Sequence, residues 1–154
     1  MSKINISKLK TLSGHRDSVY TLEKSNEDHI FFSGAGDGMV VYWDLSGDDN
    51  GQLIAKLPNS VYGLHYLESD DMLVAGHNYD GVHLLDWRNK KEVGSLNMTK
   101  SAIFDIQSIG DLLLVGDTSG TVTIINYKTL KIVHRIEDSV KSARSIAVNT
   151  LSDE

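Results

Sequence analysis

The sequence predicts an all-β fold of short antiparallel strands that follow one another along the chain. Apolar runs rich in β-branched and aromatic residues, such as Met39–Trp43 and Thr121–Ile125, are typical of strands. No long stretch keeps a helical spacing of apolar residues, so we expect strands and turns rather than helices. Polar pairs ending in glycine separate neighbouring runs, as hairpin turns do: Asp37-Gly38, Asp80-Gly81 and Ser119-Gly120.

A repeat of about 40 residues runs through the chain. A four-residue pattern with apolar ends starts at residues 19, 61, 103 and 143, which are 42, 42 and 40 residues apart. The glycine-ending turns recur at intervals of 43 and 39 residues, in step with that pattern. A third series consists of apolar pairs: Leu9/Leu12, Ile54/Leu57, Val93/Leu96 and Val133/Ile136. Agreement among three independent series indicates a true repeat.

Each repeat contains four predicted strands, which in the first complete copy are Val19–Leu22, Ile30–Gly34, Met39–Asp44 and Leu53–Leu57. Four strands in about 40 to 45 residues is the period of one blade of a β-propeller. Such a sheet is apolar on both faces, so it must be buried between two neighbouring sheets. The predicted fold class is therefore all-β: a partial β-propeller of four-stranded antiparallel blades, with three complete blades plus orphan strands at both ends.

The repeat divides the chain into five predicted segments. Residues 13–57, 58–96 and 97–136 are expected to form blades 1, 2 and 3. Residues 1–12 are expected to hold an orphan outer strand of a closing blade, at Lys8–Leu12. Residues 137–154 are expected to start an incomplete fourth blade, at Ala143–Val148. Unpaired strand edges at both ends predict self-association or pairing with a complementary half-propeller chain.

The first copy has Gly14-His15 before its first strand and Trp43-Asp44 at the end of its third strand. A Gly-His pair and a Trp-Asp pair at these places are the signature of the WD-repeat (WD40-type) propellers, which the first copy resembles. The resemblance implies a buried hydrogen-bonded tetrad that locks the blade. Its members would be His15, Ser33, Asp37 and Trp43. Buried polar groups are tolerated when they are paired, so we expect this tetrad to be structural rather than catalytic.

The later copies depart from that signature. In the second copy the connection from Leu57 to Val61 is short, the Gly-His pair is missing, and the third strand ends in a reversed pair, Asp86-Trp87. We therefore expect no tetrad in blade 2. The third copy has Ser119 in place of the turn aspartate and Ile125-Asn126 in place of Trp-Asp. We expect blade 3 to rely on apolar packing alone.

Composition and charge exclude several classes of protein. A formal net charge of −6 without a basic run argues against nucleic-acid binding, because phosphates are held by clustered Lys and Arg. The absence of Cys removes disulfides and thiolate chemistry. No apolar stretch reaches membrane-spanning length, and Met1–Lys10 lacks the apolar core of a signal peptide. The expectation is a cytoplasmic protein with no cofactor and no membrane association.

Four short patterns resemble catalytic or metal-binding sites, but each has a simpler interpretation. Gly34–Gly38 resembles a phosphate-binding loop, yet a strand follows where a helix is needed. Asp117–Gly120 has one residue more than an aspartic-protease triplet, and Gly47–Gly51 lacks the alternating ligand spacing of a calcium loop. The fourth pattern is a possible set of metal ligands: His77, Asp80 and His83. We expect a solvated hairpin there, because strand alternation should separate His83 from the other two. No catalytic or metal-binding residue is predicted.

The residue after the first apolar position of each repeat is the candidate partner-binding position, occupied by Tyr20, Tyr62, Phe104 and Arg144. The WD-repeat resemblance implies that this register faces the narrow opening of the ring and contacts peptides. Such residue types are also enriched at interface hot spots, and Tyr79 beside the second turn would extend the patch. The prediction is a non-catalytic scaffold that docks a protein or peptide.

Two alternatives remain open at this point. The same side chains could instead pack between the blades and leave the binding site unassigned. A propeller can also carry an enzyme or small-ligand site in its central channel. A channel site of this kind requires acidic or histidine side chains on the first strands, where Asp105 is the candidate.

Overall fold

The computed structural model describes residues 4–47, 50–137 and 141–149, and the described residues form twelve β-strands and no helix. Accordingly, no described segment is a helix with the length and apolarity that a membrane crossing requires. The strands are β1 (Val19–Lys24), β2 (Ile30–Ala35), β3 (Met39–Asp44), β4 (Gln52–Lys56), β5 (Val61–Leu67), β6 (Met72–His77), β7 (Gly81–Asp86), β8 (Lys91–Asn97), β9 (Ile103–Ile109), β10 (Leu112–Asp117), β11 (Val122–Asn126) and β12 (Lys131–Ile136).

These strands form three four-stranded antiparallel sheets, each made of four consecutive strands in chain order. The sheets span β1–β4, β5–β8 and β9–β12 and are the three predicted blades. Each lies inside its predicted segment except that Asn97, the last residue of β8, is one residue beyond 96. The first strands β1, β5 and β9 lie side by side, β1 next to β5 and β5 next to β9. The all-β partial propeller is therefore confirmed.

A glycine recurs in the second strand of every blade because the next segment approaches closely there. A Cβ atom on Gly34 would lie 2.6 Å from Val61 Cγ1, and one on Gly76 would lie 2.6 Å from Ile103 Cγ2. In blade 3 a Cβ atom on Gly116 would lie 3.0 Å from the carbonyl oxygen of Ala143. Val61 and Ile103 open the first strand of the following blade, so Ala143 occupies the place of a fourth first strand.

Two apolar cores fill the spaces between the blades. The core between blades 1 and 2 includes Phe32, which is fully buried and packs edge-on against Trp87 at a centroid distance of 5.1 Å. The core between blades 2 and 3 includes Ile103 and Leu113, which are also buried. Blade 2 therefore has both faces covered, as a stacked sheet requires.

The expected end strands are not formed among the described residues. Residues 4–12 belong to no strand, and the apolar side chains of Ile4, Ile6 and Leu9 are exposed. Residues 141–149 are not a strand either, although Ala143 donates its backbone N–H to the carbonyl of Asp117 at 2.9 Å. A strand needs neighbours for its backbone hydrogen bonds, and neither segment has a full ladder beside it.

Two details of blade 2 differ from the expectation. The second turn lies one residue earlier than the match of Asp80-Gly81 with Asp37-Gly38 suggests, because Asp80 N donates to the carbonyl of His77 as Gly38 N does to that of Ala35, and Gly81 already begins β7. The left-handed backbone conformation falls on Tyr79, with φ of 67°, rather than on a glycine. The pair equivalent to Trp43-Asp44 is Leu85-Asp86, because Leu85 pairs with β6 as Trp43 pairs with β2. The Trp-Asp order is therefore not reversed.

The outer faces of blades 1 and 3 carry exposed apolar side chains. On blade 1, Val19 and Leu22 are 49% and 65% exposed, and they line an apolar cleft with Phe31 and Trp43. On blade 3, every residue of β12 is exposed. The exposed apolar area is consistent with the expected self-association or half-propeller pairing, which stays a prediction.

Candidate functional site

In blade 1 the four tetrad residues form one hydrogen-bonded chain. Trp43 Nε1 donates to Ser33 Oγ at 2.7 Å, and His15 Nε2 lies 2.7 Å from the same oxygen. His15 Nδ1 lies 3.2 Å from Asp37 Oδ1. Because a carboxylate can only accept, Nδ1 donates to Asp37, and in the neutral ring Nε2 accepts from Ser33. The chain therefore runs from Trp43 through Ser33 and His15 to Asp37.

The carboxylate of Asp37 also accepts hydrogen bonds from two backbone N–H groups. Its carboxylate accepts the backbone N–H of Arg16 at 2.7 Å and that of Met39 at 3.0 Å. Burial raises the pKa of Asp37, but these two donors and His15 outweigh it, so the pKa lies below its ordinary value. Asp37 thereby ties the hairpin turn to the connection that precedes β1.

Blade 2 has a histidine contact of a different kind, which is not the tetrad of blade 1. His77, at the end of β6, is buried, and its Nε2 accepts the backbone N–H of Asn59 at 3.2 Å. Its Nδ1 lies 3.5 Å from Asp80 Oδ2 and 3.4 Å from His83 Nε2. Burial lowers the pKa of His77, and the neighbouring His83 adds to that effect.

Blade 3 also has a polar lock, so apolar packing alone does not describe it. Thr99 Oγ1 donates to Asp117 Oδ2 at 2.7 Å, and Asp117 is 2% exposed. Ser119 donates its backbone N–H to Asp117 Oδ1 at 2.8 Å and its hydroxyl to the same atom. Asp117 lies two residues before Ser119, the position at which the WD-repeat signature has its aspartate, so the signature did not predict this contact.

Two adjacent aspartates clamp the opposite end of blade 2. Asp71 accepts from Trp87 Nε1 at 2.9 Å and from the Tyr66 hydroxyl at 2.7 Å, while Asp70 accepts from the Tyr127 hydroxyl at 2.5 Å. Burial, followed by this contact with Asp71, raises the pKa of Tyr66 to about 12. Since Tyr127 belongs to blade 3, Asp70 joins two blades. The sequence signal for this contact was the Asp70-Asp71 pair in the β5–β6 turn.

The candidate docking residues form a continuous row across three blades. The rings of Tyr20 and Tyr62 are 4.3 Å apart between centroids, and those of Tyr62 and Phe104 are 5.7 Å apart. The guanidinium carbon of Arg144 lies 4.6 Å from the Phe104 ring centroid. Tyr20 is 49% exposed and Arg144 is exposed, whereas Tyr62 and Phe104 are half-buried. Full burial between blades, the alternative arrangement, is therefore not what the structure shows.

Tyr79 lies in the β6–β7 turn and is 58% exposed. Its backbone N–H donates to the carbonyl of Ser101 at 3.1 Å, in the connection that leads to β9. None of the aromatic contacts among the described residues joins Tyr79 to the row of Tyr20, Tyr62 and Phe104. Tyr79 is thus an exposed neighbour on the blade turns rather than a member of the row.

A polar chain that was not predicted from the sequence crosses the first strands at a different level. His65 Nε2 lies 2.7 Å from Ser108 Oγ, and His65 Nδ1 lies 3.7 Å from Glu23 Oε1. The order serine, histidine, carboxylate is that of a nucleophilic triad. However, 3.7 Å is too long for the hydrogen bond that orients the imidazole in such a triad.

The carboxylates near this chain are occupied by backbone donors. Glu23 Oε1 accepts the N–H of Tyr66 at 2.9 Å, and burial raises the pKa of Glu23. Asp105 accepts the N–H of Ile146 at 2.6 Å and that of Ile106 at 2.8 Å. These contacts join neighbouring segments of the fold and do not assemble the channel site that Asp105 suggested.

The potential metal ligands His77, Asp80 and His83 lie together, contrary to the expectation. Their ligating atoms are all within 4.8 Å of one another. His77 pairs with Gly81 across the hairpin, so His83, two residues further along, is on the same face. His77 is also buried, so a solvated hairpin does not describe this position.

The family model described as WD domain, G-beta repeat matches residues 6–44, the part of the chain that contains the tetrad of blade 1. This chain carries a WD repeat. Solved structures of WD-repeat proteins share its fold: U3-55K superposes with a TM-score of 0.77 at 14% identity, covering 86% of this chain and 43% of the other. The designed protein Ika4 superposes with a TM-score of 0.71 at 22% identity, covering 90% of this chain and 84% of the other.

Curated relatives extend the similarity beyond the WD repeat of residues 6–44. Autophagic-related protein 16.2 of Caenorhabditis elegans is 34% identical over 132 residues, which cover 79% of this chain and 23% of that protein. The APC/C activator protein CDH1 of Saccharomyces cerevisiae is 29% identical over 96 residues, which cover 62% of this chain and 17% of that protein. The chain spans less than a quarter of the length of the curated relatives it matches.

Proposed function

We propose that this chain is a non-catalytic docking module that binds a protein or peptide along the row of Tyr20, Tyr62 and Phe104. The observation that carries the proposal is the continuity of that row. Neighbouring blades each contribute one ring, and the centroids of neighbouring rings are 4.3 and 5.7 Å apart. Part of each ring remains exposed to solvent. Stiff aromatic side chains lose little conformational freedom on binding, which is why they dominate interface hot spots.

Arg144 and Tyr79 are the flanking members of the proposed surface. Arg144 stacks its guanidinium on Phe104, which holds both side chains in place for a partner. Tyr79 offers a further exposed ring from the turn of blade 2. The name of the yeast relative, an APC/C activator protein, supports a protein partner for this chain rather than a small substrate.

Substitution of Phe104 by alanine separates docking from packing. If the row is a docking surface, Phe104→Ala leaves the melting temperature nearly unchanged and weakens a bound peptide by about 2 kcal/mol or more. If Phe104 is a core residue, the same change costs roughly 3–5 kcal/mol of stability. Peptides selected from a displayed random library on the wild-type chain serve as the probe, and calorimetry measures their affinity.

The matched control is Leu45→Ala, which removes a side chain that is 47% exposed in a turn away from the row. We expect Leu45→Ala to leave peptide affinity unchanged. The proposal fails if the wild-type chain selects no peptide, if Phe104→Ala binds the selected peptides as well as wild type, or if it melts like a core variant.

A further inference from the structure

Three side chains that can ligate a metal converge at the hairpin of blade 2. His77 ends β6, Asp80 closes the turn, and His83 is the third residue of β7. The Nδ1 atom of His77 lies 3.4 Å from Nε2 of His83 and 3.5 Å from Oδ2 of Asp80. All three ligating atoms are within 4.8 Å of one another.

These separations match the edges of a tetrahedral metal site. Zinc binds imidazole nitrogen and carboxylate oxygen at about 2.0–2.1 Å, so two ligands of one tetrahedral ion lie about 3.3 Å apart. The two edges at His77, 3.4 and 3.5 Å, exceed that value by no more than about 0.2 Å. The third edge, between His83 and Asp80, is within 4.8 Å, and the Asp80 side chain is 30% exposed and so has room to rotate towards His83.

The surroundings of His83 are those of a metal-bound imidazole. Its Nδ1 donates to Glu92 Oε2 at 2.7 Å, which leaves the Nε2 lone pair free to face His77 Nδ1, 3.4 Å away. A carboxylate behind the ligating ring fixes its tautomer and raises its basicity as a ligand. The His83 side chain is 12% exposed, so the ring is also held by packing.

The repeat itself does not require this cluster. The positions in blade 1 that correspond by strand pairing and turn geometry are Ala35, Gly38 and Val41, none of which can ligate a metal through its side chain. Blade 1 folds with those residues in place. The two histidines and the aspartate are therefore a local addition to blade 2.

We propose that His77, Asp80 and His83 form a binding site for a four-coordinate divalent transition metal, with Zn²⁺ as the best match. Two imidazoles and one carboxylate suit zinc, whereas Mg²⁺ and Ca²⁺ prefer sets made only of oxygen atoms. The fourth position is left for water or for a donor atom of a bound partner. The partly exposed carboxylate of Asp80 gives the ion its way in from solvent.

Binding requires one adjustment at His77. In the metal-free ring Nε2 accepts the backbone N–H of Asn59 at 3.2 Å, so the ring proton is on Nδ1. A metal at Nδ1 moves that proton to Nε2, and the Asn59 contact must then lengthen. Zinc binding is therefore coupled to the connection between blades 1 and 2, which contains Asn59.

Titration of the intact chain with ZnCl₂ in a calorimeter tests the proposal, with Co²⁺ absorption as a report on tetrahedral geometry. We expect one Zn²⁺ per chain, visible d–d bands of tetrahedral Co²⁺, and a higher melting temperature with metal. Glu92→Gln should weaken binding by about 10- to 100-fold, the usual loss when a partner of a ligating histidine is removed. His83→Ala and Asp80→Asn remove a ligand and should weaken binding by more than Glu92→Gln does.

His134→Ala is the matched control, because His134 is an exposed histidine on β12 of blade 3. It should bind Zn²⁺ as wild type does. Asp80→Asn keeps the size of a partly exposed side chain and serves as the ligand variant if His83→Ala fails to fold. The proposal is overturned if wild type binds no Zn²⁺, if His83→Ala or Asp80→Asn binds it unchanged, or if His134→Ala loses it too.

Discussion

Blades 1 and 2 meet the same structural need with histidines from different parts of the repeat. In blade 1, His15 comes from the connection before the first strand and reaches Asp37 in the hairpin turn. In blade 2, His77 comes from the end of the second strand and takes the backbone N–H of Asn59, in the connection before the first strand. Each contact ties that connection to the hairpin between the second and third strands.

Blade 3 makes the corresponding contact between its connection and its hairpin without a histidine. There, Thr99 in the connection donates to Asp117 at the end of the second strand. Buried donors and acceptors between two loops must be paired, but an imidazole, a hydroxyl or a carboxylate can each do it. The contact between the connection and the hairpin is therefore common to the three blades, although different residue types at different positions of the repeat make it.

Among the variants that test this comparison, Asp37→Ala should lower the free energy of unfolding most. The variant leaves His15 and the backbone N–H groups of Arg16 and Met39 without their acceptor, so we expect a loss of roughly 1–3 kcal/mol. Asp80→Ala should cost clearly less, because Asp80 is 30% exposed and His77 keeps its contacts with Asn59 and His83. Urea unfolding of both variants measures the difference, and equal losses would contradict it.

A smaller effect is expected in blade 3. Thr99→Val keeps the shape of the side chain but removes the hydroxyl that donates to buried Asp117, so we expect a loss of about 1 kcal/mol. Thr129→Val is the control, because the Thr129 hydroxyl donates to Asn126 in an exposed turn and should matter by less than about 0.5 kcal/mol. Thermal unfolding that fails to separate the two variants would mean that Thr99 does not lock its blade.

The smallest effect is a pH dependence at Glu23, which contacts blade 2 from β1. Because burial raises the pKa of Glu23, the folded chain holds that proton more tightly than the unfolded chain does. Its contribution to stability is complete below the ordinary carboxyl pKa and is lost as the pH rises through the raised value. Glu23→Gln removes this loss and keeps an oxygen for the Tyr66 N–H.

Glu23→Gln should therefore be more stable than wild type at neutral pH, and the difference should shrink as the pH falls. Denaturant unfolding between acidic and neutral pH measures it. Glu68→Gln, at an exposed position, serves as the control and should show a smaller difference. If the difference in free energy of unfolding between Glu23→Gln and wild type instead grows as the pH falls, the carboxylate form of Glu23 stabilises the fold and the prediction is wrong.

Local signals in the sequence were enough to predict much of this molecule. The strands and their order within each sheet follow from a period and a turn pattern, both of which appear within about 40 neighbouring residues. The tetrad of His15, Ser33, Asp37 and Trp43 follows from the WD-repeat resemblance of the first copy. Consecutive strands pair with each other in a blade, so chain order is also spatial order. The aromatic row could be found in the same way, because it repeats once per blade.

The features that the sequence did not predict depend on cross-strand register and on contacts between blades. Counting alternation along the chain placed His83 on the wrong face, because the pairing of His77 with Gly81 sets which residues share a face. Trp87 resembled a displaced motif residue until pairing showed that Leu85 holds that register. The contact of Asp70 with Tyr127 joins residues 57 positions apart. Such contacts arise when whole sheets stack, and no short pattern in the sequence encodes them.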